Sequence, residues 1–410
     1  MSYSEDTIDF LHKGDLVGMQ HSLAKALEND NEDLLADLAE YMQMMGFIDE
    51  SHQIYDKILS NDENNSSYLL NLAEIAENDG NLDEALDYLY QITSDDENYV
   101  AALVKIADLY QLDGDFETAT DKLLEAEKLS DSSLVTFALA ENYYAAGDFY
   151  QAIQAYQKLV SEEIYALTKI SIEQRIGDSY AKMGQFENAI EFLENAIKFD
   201  KNPENYYELA TLYMEIDEIS RAIETFQKLD DLDAQFIFYE EAFAQAYEMN
   251  QEFDKARQIA ELGLSKNPNS VSLRHFLSRN AYQQKNFAKA EEHLKKALEL
   301  PENHDETVFL LANLYYNQDD FEAVVDLVDL LEEEHLLAQW IFAESYKELE
   351  QDSQAEALYD ELLLSDLTEN PDFVKDYVDF LRQTGQREKL QNFVNNNSEL
   401  LTDENEDFLI

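Results

Sequence analysis

Carboxylates recur at one position along this chain at a nearly constant interval. Glu40, Glu74, Asp108, Glu141 and Asp178 follow one another in steps of 34, 34, 33 and 37 residues. An interval of this length places each carboxylate in a different copy of a repeating segment, so that neighbouring copies align their charges in one line. The alternative stays open that an exposed position in so acidic a chain is often acidic without any functional reason.

Apolar side chains accompany this acidic line. Four residues before the recurring position stand Leu70, Val104, Phe137 and Tyr207, and three residues after it stands Tyr144. Positions four before and three after a helical residue share its face. An acidic line beside an apolar one suits a basic, partly apolar partner segment. We therefore expect these ten residues to line a partner-binding groove.

The charge changes sign in one stretch of the chain. Residues 1–100 contain 24 acidic and 3 basic residues, whereas residues 251–300 contain 6 acidic and 9 basic ones. We expect a second subsite here, formed by Arg279, Tyr282, Phe309, Asn313 and Tyr316. It would tolerate an anion or meet the acidic half of another copy. The lysines of this stretch are explained more simply by pairs with nearby glutamates, and Trp340 suits either a groove position or local packing.

Catalytic and metal-binding signatures do not occur in the sequence. It has no HExxH, GxxxxGK[ST], GxSxG or GxGxxG motif. Acidic clusters such as Asp95-Asp96-Glu97 lack the glycine and the closing glutamate of an EF-hand. With no cysteine, disulfides, zinc–thiolate sites and iron–sulfur clusters are excluded. We expect no enzyme, no cofactor and no catalytic or metal-binding residues.

The overall composition limits the classes of partner. The chain has 410 residues, 89 of them acidic and 28 basic, and its net charge of −61 should repel nucleic-acid phosphates and anionic lipids. Its start lacks the features of a signal peptide, and no apolar run is long enough to cross a bilayer. A hydrophobic content of 45% excludes a disordered chain. The expectation is a folded cytoplasmic protein that binds neither nucleic acid nor membrane.

The elements that position these residues follow from the repeat itself. A small residue marks each copy, at Ala39, Ala73, Ala107, Ala140, Gly177, Ala210, Ala244, Ser278, Ala312 and Ala343. Around it, apolar residues recur at the spacing of a first helix, and an alanine about twelve residues later marks a second helix. Glycines occupy the turn between the two helices, and all four prolines fall between copies.

This pattern resembles the tetratricopeptide repeat, and the resemblance covers essentially the whole chain. It is carried by Leu139-Ala140, Tyr143, Gly147, Phe149, Ala152 and Tyr156, and the same series returns from Ile106-Ala107 and from Ile176-Gly177. The resemblance implies an all-α, right-handed superhelical solenoid of antiparallel helix pairs with a concave groove. The acidic, cysteine-free layout is similar to long tetratricopeptide arrays of low-GC Gram-positive bacteria, which implies a bacterial source.

The register divides the chain into about twelve repeats. We expect a single solenoid over 1–410, with a degenerate N-terminal cap at 1–30 and the acidic groove at 31–160. The remaining repeats follow at 161–370 and include the basic island at 251–300, and a degenerate C-terminal cap covers 371–410.

The resemblance implies a non-catalytic scaffold or adaptor whose groove binds a peptide or protein segment. In the family, grooves that grasp a carboxylate tail use Lys and Asn where Glu40, Glu74 and Asp108 stand here, so a basic partner is favoured. A self-associating structural module and a regulatory subunit of an enzyme or chaperone assembly remain as alternatives, and homo-oligomer formation stays open.

Overall fold

The computed structural model describes residues 2–60, 65–233, 236 and 239–396, and the expected all-α architecture is confirmed. Of the residues in the described ranges, 78% are helical and none lies in a strand. The helices form an α-helical repeat solenoid. None of the described helices is both long and apolar enough to cross a membrane.

The described helices form twelve consecutive pairs and one additional helix, α11. The pairs of the first half are α1 (Tyr3–His12) and α2 (Leu16–Asn29), α3 (Glu32–Met44) and α4 (Ile48–Leu59), α5 (Ser66–Asn78) and α6 (Leu82–Leu89), α7 (Tyr99–Leu112) and α8 (Phe116–Leu129), α9 (Ser133–Ala145) and α10 (Phe149–Tyr156), then α11 (Ser161–Thr168), and α12 (Ile172–Lys182) and α13 (Phe186–Phe199). Those of the second half are α14 (Pro203–Glu215) and α15 (Ile219–Leu232), α16 (Tyr239–Met249) and α17 (Phe253–Lys266), α18 (Val271–Gln283) and α19 (Phe287–Leu298), α20 (His304–Tyr316) and α21 (Phe321–Val325), α22 (Leu336–Glu348) and α23 (Asp352–Leu362), and α24 (Pro371–Gln383) and α25 (Arg387–Asn396).

The small residues lie where paired helices approach most closely. All eight recurring alanines of the first helices are buried, as are the alanines that face them on the second helices. At Gly177 a methyl group would be crowded, because an added Cβ would lie 3.2 Å from the backbone oxygen of Ala189. Ser51 replaces the second-helix alanine in one pair and donates its hydroxyl to the Ala39 carbonyl at 2.9 Å. The recurring small residues therefore lie at the closest contacts between the paired helices.

The turn between the two helices of a pair has the same backbone conformation throughout. Seven glycines at this position, among them Gly114, have φ between 70° and 82°. In the following repeats the position is taken by Asp217, Gln251, Lys285, Asp319 and Glu350, with φ between 58° and 61°. The left-handed conformation is thus retained where glycine is absent, although it is unfavourable for an L-residue with a side chain.

Two repeats depart from the regular length, both where the spacing of small residues is irregular. The long interval near residue 165 is explained by helix α11, which ends at Lys169 in the left-handed conformation with φ 62°. The short interval near residue 333 is explained by α21, which has only 5 residues and is followed by a 3-10 helix, Val328–Leu330. Residues 397–410 of the expected C-terminal cap lie outside the described residues.

The chain divides into two compact units, Met1–Asn205 and Tyr206–Ile410, here called the N-terminal and C-terminal units. The core of the N-terminal unit includes Leu38, Met42 and Tyr55, which are all fully buried. In the C-terminal unit, buried aromatic rings around Tyr359 and Phe373 form a corresponding core. Each unit buries the apolar faces of its own helices against their neighbours.

Candidate functional site

Three carboxylates of the acidic line are open to solvent. Glu40, Glu74 and Asp108 are exposed on helices α3, α5 and α7, and within the described ranges no side chain or backbone group donates to them. Protein atoms around the Asp108 carboxylate desolvate it and raise its pKa to about 6, although the residue as a whole is exposed. These three residues are called the open carboxylates below.

The two remaining carboxylates of the line have partners inside the chain. The guanidinium of Arg175 donates to both oxygens of Glu141, at 2.9 Å from Nε and 3.0 Å from Nη2, and the Tyr156 hydroxyl donates to the same carboxylate. The Tyr144 hydroxyl donates to Asp178. Arg175 also lies 5.0 Å from the centre of the Tyr144 ring. The expected line of five available charges is therefore reduced to three, because intramolecular donors occupy the others.

The accompanying apolar residues are divided between surface and core. Leu70 and Val104 are half-buried and pack against core residues of their own helix pairs. Phe137 is buried, with its ring 6.3 Å from that of Tyr156, so the structure places it in the core and not on an open face. Tyr207 is half-buried in the C-terminal unit and packs against Phe226. Only Leu70 and Val104 lie beside open carboxylates.

Several of the basic residues near position 280 form ion pairs within the chain. Arg279 donates to Glu248 at 2.9 Å and lies over the Phe276 ring. Lys295 and Lys296 pair with glutamates four residues earlier, each at 2.6 Å. Tyr282 is partly exposed and packs against Phe287, 5.4 Å between ring centres. Arg279 is therefore paired within the chain, which weakens the expectation of a separate anion-tolerant surface there.

The other three residues of the expected second subsite meet at one cavity. It has a volume of about 280 Å³ and is formed by α20, α22 and α24 of the C-terminal unit. Phe309, Asn313 and Tyr316 contribute from α20, whereas Arg279 and Tyr282 do not line it. The remaining residues of its lining are Asn317, Leu337, Trp340, Ile341, Glu344 and Asp376.

Two carboxylates of this cavity differ in their surroundings. Glu344 is buried and accepts hydrogen bonds from the Tyr359 hydroxyl and the Lys347 ammonium. Asp376 is half-buried, and no basic side chain of the described chain lies within ion-pair distance of it. Burial, helped by the negative charge of Glu344, raises the pKa of Asp376 to about 6 against the opposing effects of Lys347 and Trp340. The cavity therefore presents a carboxylate without a neutralising partner.

Aromatic side chains form the walls of the cavity. Trp340 packs edge-on against Phe373, 5.6 Å between ring centres. Its buried indole Nε1 lies near the Asp376 carboxylate and lowers the pKa of that group, but the contact does not have regular hydrogen-bond geometry. Burial raises the pKa of Tyr316 to about 12, and the nearby carboxylates Glu344 and Asp376 add to this effect. Trp340 thus takes part in local packing and also lines the cavity. In the described ranges no cluster of three or more His, Asp or Glu side chains is arranged to hold a metal ion.

Sequence reasoning missed Asp376, although a signal for it existed. Asp376 stands two residues before Val378, which replaces the small residue of the last repeat, just as Arg175 stands two residues before Gly177. A comparison of that one position along the repeats would have shown a carboxylate where an earlier repeat has an arginine.

Family models cover most of the chain. Two described as YpiA-like tetratricopeptide repeats and YpiA-like C-terminal tetratricopeptide repeats match residues 111–164 and 337–399. A general tetratricopeptide repeat model matches residues 38–99, and one for the fourth ARM domain of tetratricopeptide repeat protein 21 matches residues 172–327.

Two known proteins illustrate the similarity. The chain is 26% identical over 274 residues to the TPR repeat-containing protein YpiA of Bacillus subtilis strain 168, and the match covers 66% of this chain and 64% of that protein. The C-terminal part of a TPR repeat-containing protein from Cytophaga hutchinsonii superposes with a TM-score of 0.50 at 18% identity, over 58% of this chain and 98% of that one. The second similarity concerns the fold alone.

Proposed function

This chain belongs to the tetratricopeptide repeat family and is similar to YpiA-like proteins, and on that premise we propose that it is a non-catalytic scaffold whose N-terminal unit binds a basic, partly apolar segment of another protein. Members of the family are in general protein-interaction scaffolds. The cytoplasmic location expected from the sequence is part of the proposal.

The open carboxylates carry this proposal. They occupy the same position on the first helices of three consecutive pairs, at steps of 34 residues. None of them accepts a hydrogen bond or forms an ion pair within the described ranges, although the charge of Lys105 acts on Asp108. Leu70 and Val104 stand one helical turn before Glu74 and Asp108 and remain half-buried. A segment with alternating basic and apolar side chains would complement both features.

The charge distribution supports a foreign partner over a second copy of this chain. Self-association through the basic stretch would require free cations there. Arg279, Lys295 and Lys296 already form ion pairs, which leaves Lys285 and Lys289 as exposed lysines without an ion pair among the described residues. Exchanging those pairs for new ones of the same kind would bring little net free energy, because exposed pairs contribute only about 0–1 kcal/mol each.

The proposal is tested by removing the open carboxylates together. The triple variant Glu40→Gln, Glu74→Gln, Asp108→Asn should bind a synthetic peptide of alternating lysine and leucine about tenfold more weakly than the unaltered protein, since three solvent-exposed charge pairs together contribute about 1.4 kcal/mol. Fluorescence anisotropy of the labelled peptide measures the affinity, and binding should weaken as salt rises.

A matched triple variant distinguishes binding at this site from a general attraction of the peptide to a negatively charged protein. Asp49→Asn, Asp87→Asn and Asp121→Asn remove the same number of exposed carboxylates from the second helices α4, α6 and α8. We expect its affinity for the peptide to equal that of the unaltered protein. An equal loss in both triple variants would show that the peptide responds only to net charge and would refute the proposed site.

A further inference from the structure

Two helix pairs of this chain contain the same arrangement of a glutamate and a tyrosine, in which Glu344 is buried and Glu141 half-buried. Glu141 on α9 accepts a hydrogen bond from Tyr156, and Glu344 on α22 accepts one from Tyr359, in each case from a residue 15 positions later on the second helix. Both glutamates directly follow the small residue that marks closest approach, Ala140 and Ala343. The two sites are therefore equivalent positions of the repeat.

The repeats that follow the two glutamates place side chains of different charge beside them. After Glu141 it supplies Arg175, whose guanidinium neutralises the carboxylate and lies over the Tyr144 ring. After Glu344 the corresponding helix position is Asp376, which adds a second negative charge. Lys347 partly compensates, since it pairs with Glu344, but the Asp376 carboxylate is left without a cation in the described part of the chain.

The cavity beside Asp376 has the size and walls that suit one cationic side chain. Its volume of about 280 Å³ lies just below the range of about 300–1,000 Å³ typical of small-molecule pockets. The rings of Phe309, Tyr316 and Trp340 contribute to its lining, and aromatic faces attract ammonium and guanidinium groups, more strongly where water is excluded. A long aliphatic stem can lie along such rings while its charged end reaches a carboxylate.

We propose that this cavity in the C-terminal unit binds a single lysine or arginine side chain of a partner protein, with the cationic group against Asp376 and the aliphatic stem along Trp340 and Tyr316. At the first of the two equivalent sites, Arg175 of this chain supplies the cation beside Glu141 and Tyr156. At the second site, a cation of the partner takes the corresponding place beside Glu344 and Tyr359. The site is distinct from the open carboxylates and does not rest on the function proposed for them.

The charges around Asp376 make this binding dependent on pH. Glu344 and Lys347 face it from α22, Tyr316 from α20, Tyr359 from α23, and Asp379 lies on its own helix. Because an incoming cation favours the ionised carboxylate, binding should weaken as the pH falls through about 6, the pKa of Asp376 in the free protein. The affinity at about pH 5 should be about tenfold lower than at about pH 7.5.

The only tryptophan of the chain lines the cavity, so its fluorescence reports on occupancy directly. The full chain is titrated with the capped peptide Ala-Leu-Lys-Leu-Ala, with its arginine counterpart, and with a norleucine peptide that keeps the stem but lacks the charge. We expect the two cationic peptides to change Trp340 emission with at least fivefold higher affinity than the norleucine peptide. Equal binding of the norleucine peptide would overturn the proposal.

Variants on α24 give the matched comparison. Asp376→Asn should lower the affinity for the cationic peptides at least fivefold and abolish its pH dependence, whereas Asp372→Asn, an exposed carboxylate of the same helix, should change neither. Equal effects of both variants, or none from Asp376→Asn, would refute the site. Because asparagine has the shape of aspartate, the variant should retain the fold, and circular dichroism checks this.

Two further arms identify the source of the cation and separate this site from the N-terminal one. n-Butylamine alone should bind more weakly than the lysine peptide, and equal affinity would show that the cavity takes free amines instead of a protein side chain. The triple variant of the open carboxylates should retain the full Trp340 response. Loss of that response would contradict a separate C-terminal site.

Discussion

Asp376 and Arg175 occupy the same position of their repeats, and the difference between them has an energetic consequence. Arg175 satisfies a half-buried carboxylate with two hydrogen bonds, whereas Asp376 places a second carboxylate near one that is already buried. A half-buried charge without a partner is unfavourable, because desolvation is not offset by attraction. The C-terminal unit therefore contains local instability at the residue where we propose that a partner binds.

The contribution of Asp376 to the free energy of unfolding should fall as the pH rises. Its pKa is raised from 3.8 to about 6, so between these values the folded protein retains a proton that the unfolded chain has lost. Stability is therefore lost as the pH rises from about 4 to about 6. Asp376→Asn should stabilise the protein by about 1–2 kcal/mol at pH values above 6 and hardly at all below 4.

Urea denaturation followed by Trp340 fluorescence at several pH values measures this difference. Asp372→Asn serves as the control. Asp372 is exposed in the first turn of the same helix, so its replacement should lower stability by about 0.3–1 kcal/mol at neutral pH, the opposite sign to that expected for Asp376→Asn. A destabilising effect of Asp376→Asn above pH 6 would show that the carboxylate contributes favourable contacts in the free protein.

The sequence predicts which carboxylates are exposed better than it predicts which carboxylates have partners within the chain. The exposure of Glu40, Glu74 and Asp108 follows from the helical period alone. The partners of Glu141 and Asp178 do not, because they come from Arg175 in the next repeat and from the Tyr144 hydroxyl, and such contacts depend on side-chain reach in three dimensions. Phe137 shows the same limit, since the position four residues before Glu141 turned out to be buried.

At the scale of the helix pair, the turn is defined by its backbone and not by its residue type. The left-handed conformation was expected from the glycines, but it also occurs at Asp217 and in the next four turns, where the sequence contains no glycine. Its persistence follows from the close packing of the two helices, which determines where the chain must reverse. The period of the small residues predicted these turns, whereas helix α11 and the shortened α21 were visible only as irregular intervals.

Replacing Gln251 by glycine should therefore stabilise the protein. Gln251 is exposed and has φ 60°, a conformation that is unfavourable by roughly 1–2 kcal/mol for a residue with a side chain. Glycine avoids this strain, but its greater flexibility in the unfolded chain offsets part of the gain in stability. We expect a net gain of about 0.5–1 kcal/mol in the free energy of unfolding, measured by urea denaturation.

The variant Gln251→Ala is the matched control for this substitution. It removes the same side chain but keeps the Cβ atom, so the unfavourable left-handed conformation remains. Its stability should stay within about 0.5 kcal/mol of the unaltered protein. If alanine stabilised the protein as much as glycine, the side chain and not the backbone conformation would be responsible.

At the scale of the whole molecule, charge repulsion opposes folding. The net charge of −61 is only slightly relieved by ion pairs, because the chain has 28 basic residues for 89 acidic ones. Salt screens repulsion between exposed carboxylates over distances beyond about 10 Å and weakens the few exposed ion pairs at the same time. Repulsion predominates in this composition, so the net effect of salt should be stabilising.

The unfolding temperature should rise by several degrees between about 20 mM and about 500 mM sodium chloride at neutral pH. Circular dichroism during heating measures the change. Near the isoelectric point of about 4.1 the same increase in salt should have little effect, because the net charge is close to zero. A fall in the unfolding temperature with salt at neutral pH would show that ion pairs outweigh repulsion.

The turns of the C-terminal unit also offer a set of attachment points. Gln251, Lys285 and Asp319 stand 34 residues apart, are exposed, and already bear side chains in the left-handed conformation. Because the chain contains no cysteine, a single cysteine introduced at any of them would be its only thiol. Fluorophores coupled there would mark successive repeats without disturbing a packed helix, and would allow the response of each repeat to a bound partner to be followed separately.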